Sequence, residues 1–390
     1  MPRQPKPPLA AKDLQGFKYF DLVLPWLATP HGAGTARDRA GNRRLVFDQY
    51  AARLLLHFFN PILTGLNGLQ QASGLAKAQK VTGARRASAG AMSEAPGVFE
   101  ATLLEGLIAE LAQRVAPVTP PREWAALKGL VAVDGSLLPA CSRRVWALWL
   151  SDQRRAARRH VHFEVPRGTP VRVSVTAGSG SEAGQLRRLL EDGRLYVIDR
   201  GYAEYQLLQD ICDARSSFIG RLRDDAVWQV LEGRPVSARA RAAGLRRDLV
   251  VWLGGDDSGA VFRQPLRVVA VATGQADSRG RPEVLLLATD RLDLAAELVA
   301  LGYRSRWSVQ LFFRWFKCVW GRRHLLAESQ NGVTIPVYVA IIASLLLSLW
   351  TGRKPTKRTC EMFCFLFAGW ATEQEVLEHL DKLQQADDSG

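Results

Sequence analysis

Cysteine is scarce and unpatterned. The five residues Cys141, Cys212, Cys318, Cys360 and Cys364 are odd in number and form no CxxC pair, which argues against a disulfide scaffold and a structural zinc site and points to a reducing compartment. No apolar core with a small-residue cleavage site follows the basic, proline-broken start MPRQPKPP, so a secretory leader is not expected and the chain is read as cytoplasmic. Internal repeats are absent. Only one uncharged run, Val333 to Trp350, reaches the length of a membrane span. Pro336 suits the first turn of a helix, Ser344 and Ser348 interrupt the apolar surface, and no second span accompanies it, so the run is read as a buried core helix. Acidic residues are also short: 38 Asp+Glu against 52 Lys+Arg leave a net charge of +14, a field that favours a polyanionic partner, either nucleic acid or an anionic membrane surface.

What is present is ordinary for a globular protein. With 390 residues, 47% of them hydrophobic, the chain can bury a sizeable core in two or three packed units. Residues 1–15 are rich in Pro and Lys and read as a disordered basic tail. Helical spacing marks Leu45 to Phe59 and Phe99 to Val115. Between them, Lys77 to Ser88 carries Lys80, Arg85 and Arg86, which spacing leaves as either a solvated loop or a DNA-contacting segment. After Pro117, Pro120 and Pro121 strand signals begin: Leu130 to Asp134, Val145 to Leu150, Val161 to Val165, Val171 to Thr176, then a helix from Glu182 to Leu190 and a strand from Leu195 to Asp199. Strands alternating with helices predict an α/β sheet. From Ser216 to Ala288 the pattern is β-rich and reads as an insertion, with strands at Val227 to Leu231, Asp248 to Leu253, Leu266 to Ala272 and Val284 to Ala288. A long helix from Leu292 to about Val319, the apolar helix and a short helix over Glu373 to Leu383 complete the chain.

Two constellations carry possible chemistry. At about 100° per residue, Tyr303, Arg306, Gln310, Arg314 and Lys317 fall within an arc of roughly 80°, opposite Val309, Phe312, Phe313, Phe316 and Trp320. The stripe is either a solvated face or, because it holds three cations and no acid, a phosphate-binding one. Asp134 and Asp199 each end an apolar strand, where they serve as turn caps or, if they converge, as ligands for Mg²⁺. Arg143, Arg144, Arg154, Arg155, Arg158 and Arg159 form the densest basic cluster and read as a DNA-backbone contact. His160 and His162 lie on one side of a strand, but without a third ligand of fitting spacing they are read as surface histidines.

Asp134-Gly-Ser, Asp199-Arg-Gly-Tyr, and Tyr303, Arg306, Gln310 and Lys317 at their spacing resemble the motifs of the DDE transposases of the insertion-sequence-4 family. Arg304 to Trp307, Phe312-Phe313 and Ser329 to Val333 extend the similarity over most of residues 75–350. The resemblance implies an α/β, ribonuclease-H-like core, in two parts over 121–215 and 291–330, interrupted by a β-rich insertion over 216–290. A helical DNA-binding domain over 16–120 and a helical region over 331–390 would flank it. It further implies Mg²⁺, or Mn²⁺, at Asp134, Asp199 and position 310, double-stranded DNA of transposon ends and target as substrate, a homodimer that joins two ends, and a bacterial, nucleoid-associated setting. Tyr303, Arg306 and Lys317 would then bind phosphate, with Arg304, Arg314, Arg322, Arg200 and Tyr202 beside them, while Trp228 and Trp252 either pack within their strands or stack on a flipped base. One position departs from the family. Gln310 stands where the family has the third carboxylate, and an amide cannot supply the charge that two close divalent ions require. Asp293, Glu297 and Glu328 offer no convincing replacement; Glu297 faces about 220° away on the helical wheel. The resemblance therefore implies an impaired transposase or, as the alternative, a DNA-binding descendant that no longer cuts.

Overall fold

The computed structural model describes residues 23–28, 45–60, 63, 65–83, 85–115, 122–140, 148–151, 154–254, 262–276, 280, 282–320, 329–352 and 357–388. Among the described residues, six α-helices lie ahead of the sheet: α1 (Leu24–Ala28), α2 (Phe47–Phe59), α3 (Leu66–Ser73), α4 (Ala76–Thr82), α5 (Ala89–Glu94) and α6 (Glu105–Arg114). From Tyr50 onward α2 is buried on all sides, including Arg53 and His57, and the Arg53 guanidinium donates to the Arg85 carbonyl. The polar stretch from Lys77 is helix in its first half only, and Arg85 to Ser88 have no regular structure. It begins inside α4, which Gly83 ends in the left-handed region at φ 64°, and Ser88 then caps α5 by accepting from the Ala91 amide at 3.1 Å.

The sheet has ten strands among the described residues: β1 (Leu130–Ala140), β2 (Leu148–Ser151), β3 (Arg154–Glu164), β4 (Thr169–Ala177), β5 (Leu195–Ile198), β6 (Ser217–Arg221), β7 (Trp228–Gly233), β8 (Leu245–Leu253), β9 (Leu266–Ala276) and β10 (Pro282–Thr289). Antiparallel β4, β3 and β1 lead into parallel β1, β5 and β6, and antiparallel β10, β9, β8 and β7 extend the same sheet from β6. The expected insertion is β-rich, but its first strand, β6, belongs to the parallel core, and the rest hydrogen-bonds onto that core's edge. Arg267 on β9 and Asp248 on β8 form a buried ion pair at 2.5 Å beside the start of the following helix, where Arg267 also donates to the Leu294 carbonyl.

Period-2 alternation sorts the core strands onto two faces. Val131, Val133, Tyr196 and Ile198 pack with α7 (Glu182–Arg188) and α8 (Tyr205–Asp213). Leu130, Ala132, Leu195 and Val197 face the larger core built by the amino-terminal helices and by α10 (Ala296–Arg304), α11 (Trp307–Trp320) and α12 (Gln330–Thr351). A short helix, α9 (Ala238–Ala242), precedes β8, and α13 (Lys357–Ala368), which the sequence pattern did not reveal, and α14 (Glu373–Asp388) close the chain.

The helix expected from Leu292 to Val319 is two helices. Ser305 turns its hydroxyl back to the Gly302 carbonyl at 2.5 Å, and α11 restarts after Arg306. Gly302 lets α10 lie on the sheet, since a Cβ there would sit 2.7 Å from Ile219 Cδ1. The apolar run forms α12, and 94% of its most apolar window is buried against the protein's own helices and β4. It starts at Gln330 rather than Val333, so Pro336 falls in its second turn. Ser329 caps it, and Asn331 ties it to the amino-terminal region, accepting from the Ala101 amide and donating to the Pro96 and Phe99 carbonyls.

Candidate active site

The parallel register sets the site. Ala132 pairs with Val197, so two residues further on Asp134 and Asp199 stand on the same face, at the ~4.8 Å spacing of neighbouring strands; Asp199 follows the end of β5, but Asp134 does not end its strand as expected, because β1 continues to Ala140 through its pairing with β3. Each carboxylate spends Oδ1 locally. Asp134 Oδ1 accepts from the Gly135 amide at 2.9 Å, and Asp199 Oδ1 accepts from the Arg200 amide at 2.8 Å and from the Tyr303 hydroxyl at 3.1 Å. Both Oδ2 atoms face one guanidinium: Arg306 Nη2 lies 3.5 Å from Asp199 and Nη1 3.9 Å from Asp134.

The helix break at Ser305 is what delivers Arg306 to this place. Instead of joining an exposed stripe, Arg306 sits in the turn between α10 and α11, 93% buried, with its guanidinium carbon 5.7 Å from the Tyr303 ring centroid. Its Nε and Nη1 make no hydrogen bond. Burial pushes the Asp134 carboxyl up to about 6; Arg306 and the Gly135 amide pull it down, while Glu182 and Asp199 push it up. Burial also drives the Tyr303 hydroxyl to about 12, which keeps it a proton donor to Asp199.

The stripe read from the wheel therefore divides. Tyr303 and Arg306 are buried at the aspartates, Gln310 is half-buried one turn into α11, and Arg314 and Lys317 are exposed. α11 crosses β1, and its apolar side packs as the spacing predicts, with Phe312 5.5 Å from the Phe163 ring.

Several other site candidates are placed differently from their sequence reading. Arg159 is not at a DNA surface: it is 1% exposed, its guanidinium lies 4.1 Å from the Phe316 ring and 4.9 Å from Phe313, and Nη2 donates to Ser136 at 3.2 Å. Arg158, on the other face of β3, pairs with Glu182 at 2.7 Å. Tyr202 is buried with its hydroxyl unpartnered, so it does not present a phosphate ligand at the surface. His160 and His162 are buried rather than surface residues; His160 Nε2 lies 2.8 Å from Thr176 Oγ1, and His162 stacks edge-on against Tyr196 at 6.0 Å.

Trp228 packs on the core opposite Leu253, and half-buried Trp252 stands opposite Gln229, so the two indoles occupy opposite faces of the β7–β8 ladder. Arg200 is exposed and pairs with Asp224 at 3.2 Å. Arg304, Lys80, Arg85 and Arg86 are exposed. Arg154 and Arg155 lie on β3, with side chains outside the described set, and Arg143, Arg144, Arg322 and Glu328 fall outside the described residues. Asp293 is engaged with Arg291 at 2.6 Å, and Glu297 is exposed at the start of α10.

One acid beside this site that the sequence did not mark is Glu182, whose Oε1 would lie 2.5 Å from a Cβ on Gly135. It opens α7 after the Ser181 cap, and its only local signal is that of an acid in a first helical turn. Among the described residues no three acidic, His or Cys side chains stand close enough to hold a metal ion in this arrangement. The donor chemistry nonetheless fits a hard cation: two carboxylate oxygens already converge on a positive charge, and Asp199 is 40% exposed, leaving room for the waters that Mg²⁺ retains.

A family model described as the transposase DDE domain matches residues 125–346, which contain both aspartates, Arg306 and Gln310. The chain belongs to the DDE transposases. It is 28% identical over 232 residues to the y4zB transposase candidate of Sinorhizobium fredii, and 24% identical over 241 residues to a protein assigned as the transposase of insertion sequence element IS5377 in Geobacillus stearothermophilus. These matches cover 58% and 61% of this chain and 62% and 61% of the two relatives, so each spans under two thirds of the relative's length. Among solved structures, the piggyBac transposase synaptic complex with hairpin DNA aligns over 93% of this chain and 82% of that one, at 10% identity and a TM-score of 0.40.

Proposed function

We infer that this DDE transposase is of the insertion-sequence-4 type, with a ribonuclease-H-like core, and that it binds transposon ends and carries out phosphodiester cleavage and strand transfer at a site weakened by Gln310. The observation that carries the reading is the meeting of Asp134, within β1, and Asp199, just past its parallel neighbour β5, on one buried guanidinium. An antiparallel half made of β1 to β4, joined to a parallel half of β1, β5 and β6, supports the fold assignment.

Asp134 and Asp199 would hold Mg²⁺ or Mn²⁺, which when bound supplies the charge that activates an attacking oxygen and stabilises the leaving one. The chain's own groups do the rest. Tyr303 fixes the rotamer of Asp199 through its 3.1 Å hydrogen bond. Arg306 offsets the mutual repulsion of the two carboxylates and is placed to pass from them to a scissile phosphate, where a planar guanidinium gives bidentate contacts. Exposed Arg314 and Lys317 continue that track along α11. Gln310 contributes an amide oxygen without charge. Two DNA ends must be held together for transposition, which calls for a homodimer in the bacterial cytoplasm.

A second reading, a DNA-binding descendant that no longer cuts, draws on the same Gln310 and keeps the basic surface. Both readings require DNA affinity built on phosphate contacts, which falls steeply with salt as counterions are released. Titration of the protein with a fluorescent transposon-end duplex at about 50 and 200 mM salt should show a loss of at least tenfold, and the Arg314→Ala/Lys317→Ala variant should lower both the affinity and the salt slope. Affinity that stays flat with salt would exclude both.

A further inference from the structure

Two residues beyond Asp134, on the same face of β1, Ser136 meets a buried cation. The antiparallel register sets Ser136 opposite Arg159 on β3, two steps from the pair of Asp134 with Val161. Arg159 Nη2 donates to Ser136 Oγ at 3.2 Å. Helix α11 runs over this pair: it starts beside Arg306 at the aspartates and, in its second and third turns, lays Phe313 and Phe316 on the Arg159 guanidinium, at 4.9 and 4.1 Å. Ser136 therefore lies on the side of the aspartates toward which α11 carries exposed Arg314 and Lys317. It is half-buried, whereas Arg159 is 1% exposed.

Packing alone does not account for Arg159. Its Nε and Nη1 are buried without a hydrogen-bond partner, and a desolvated cation with unused donors is costly, an expense that two ring faces offset only in part. An apolar side chain of similar length would fill the space beside Phe313 and Phe316 without it. The one hydrogen bond that Arg159 makes gives the charge a purpose. A guanidinium can only donate, so the bond takes a lone pair of Ser136 Oγ and leaves the hydroxyl hydrogen to donate elsewhere; among the described residues it has no acceptor. A hydroxyl whose oxygen accepts from a buried cation is a stronger donor, and its orientation is set before any ligand arrives.

We propose that Ser136 donates its hydroxyl to a non-bridging oxygen of the DNA phosphate seated at Asp134 and Asp199, and that Arg159 is a positioning residue that acts through this serine. The inference rests on the reading of the aspartates and Arg306 as the cleavage centre. It gives the serine of Asp134-Gly-Ser a task that the aspartates cannot perform, since carboxylates repel a phosphate, and that Tyr303 cannot share, since its hydroxyl is committed to Asp199. It also explains why the arginine is kept below the surface. From behind Ser136 its charge strengthens one hydrogen bond at one place instead of gripping the backbone of any DNA that passes.

The test uses the full chain and two transposon-end duplexes, one natural and one carrying a neutral methylphosphonate in place of the phosphate to be cleaved, each titrated with Ca²⁺ standing in for Mg²⁺. The parent should bind the natural duplex more tightly. Ser136→Ala should remove roughly tenfold or more of that preference, the scale of one hydrogen bond to a charged group. Ser136→Thr, which keeps the hydroxyl, should retain most of it. Arg159→Met, which keeps the packing without the charge, should lower the preference in the parent and leave it unchanged in the Ser136→Ala background, because its effect runs through the serine. Thermal melts accompany each variant. If Ser136→Ala is folded and discriminates like the parent, or if Arg159→Met acts equally with and without Ser136, the pair is only a strap between β1 and β3 and the proposal is wrong. Should Arg159→Met fail to fold, Ser136→Ala set against Ser136→Thr decides alone. Arg306→Ala separates the two levels: a parent that binds both duplexes alike, or an Arg306→Ala variant that discriminates undiminished, means that no phosphate is seated at the aspartates and the cleavage centre itself fails. A loss at Arg306 with no effect at Ser136 sinks only the present inference.

Discussion

His160 and His162 share the face of β3 that carries Arg158, and burial pushes their imidazoles down to about 4 and about 3. In the unfolded chain a histidine takes up its proton near pH 6.5. The folded pair resists until far lower pH, so stability that is fully present above pH 6.5 is lost as the pH falls through that value toward 4. For His162 alone this amounts to on the order of 2 kcal/mol between pH 7 and pH 5. His162→Phe, which keeps a ring against Tyr196, should narrow the difference between urea midpoints measured at those two pH values, and a difference as large as the parent's would show that the imidazole is protonated in the fold. At this scale the sequence was legible where a residue's role follows from its own strand: Asp134 and Asp199 each end an apolar run. It was not legible for Arg159 or Arg306, because a basic residue in a basic cluster carries no mark of the Phe313 and Phe316 rings, or of the aspartates, that will enclose it.

Strands β5, β8 and β9 and helices α2 and α12 were readable as elements because apolar runs and periodicity are local. The break between α10 and α11 was not, since Tyr303 to Lys317 keeps a helical pattern through Ser305; the interruption is enforced by the turn that buries Arg306. Likewise β6 looks like its arginine-rich neighbours in sequence, and only its pairing with β5 places it in the core. The motif from Ser329 to Val333 acquires a mechanical meaning at this level. Asn331 satisfies three backbone groups at the entrance to α12, so Asn331→Ala leaves them unpaired and should cost about 1–3 kcal/mol. Chemical denaturation reads this as a lower midpoint at unchanged slope. No change in midpoint would mean that water replaces the amide and that the link between α12 and the amino-terminal helices is not structural.

At the scale of the molecule, one continuous sheet positions everything. Its central parallel strands carry Asp134, where the pairing of β1 with β5 has just stopped, and Asp199, just past β5; its larger face receives α11 with Gln310, and its other face receives α7 with Glu182. We propose that Asp134, Asp199 and position 310 form a DDE transposase centre whose third family position is filled by an uncharged residue. The measurement that meets it most directly is Mn²⁺- or Mg²⁺-dependent nicking of a transposon-end duplex by Gln310→Glu beside the parent chain. Each ~1.4 kcal/mol of transition-state stabilisation is a tenfold change in rate, so a restored carboxylate should raise nicking by one or more orders of magnitude, and Asp134→Ala in that background should abolish it. A parent chain that cleaves as fast as the Gln310→Glu variant would contradict the assignment of position 310, and with it the motif alignment on which the site was built.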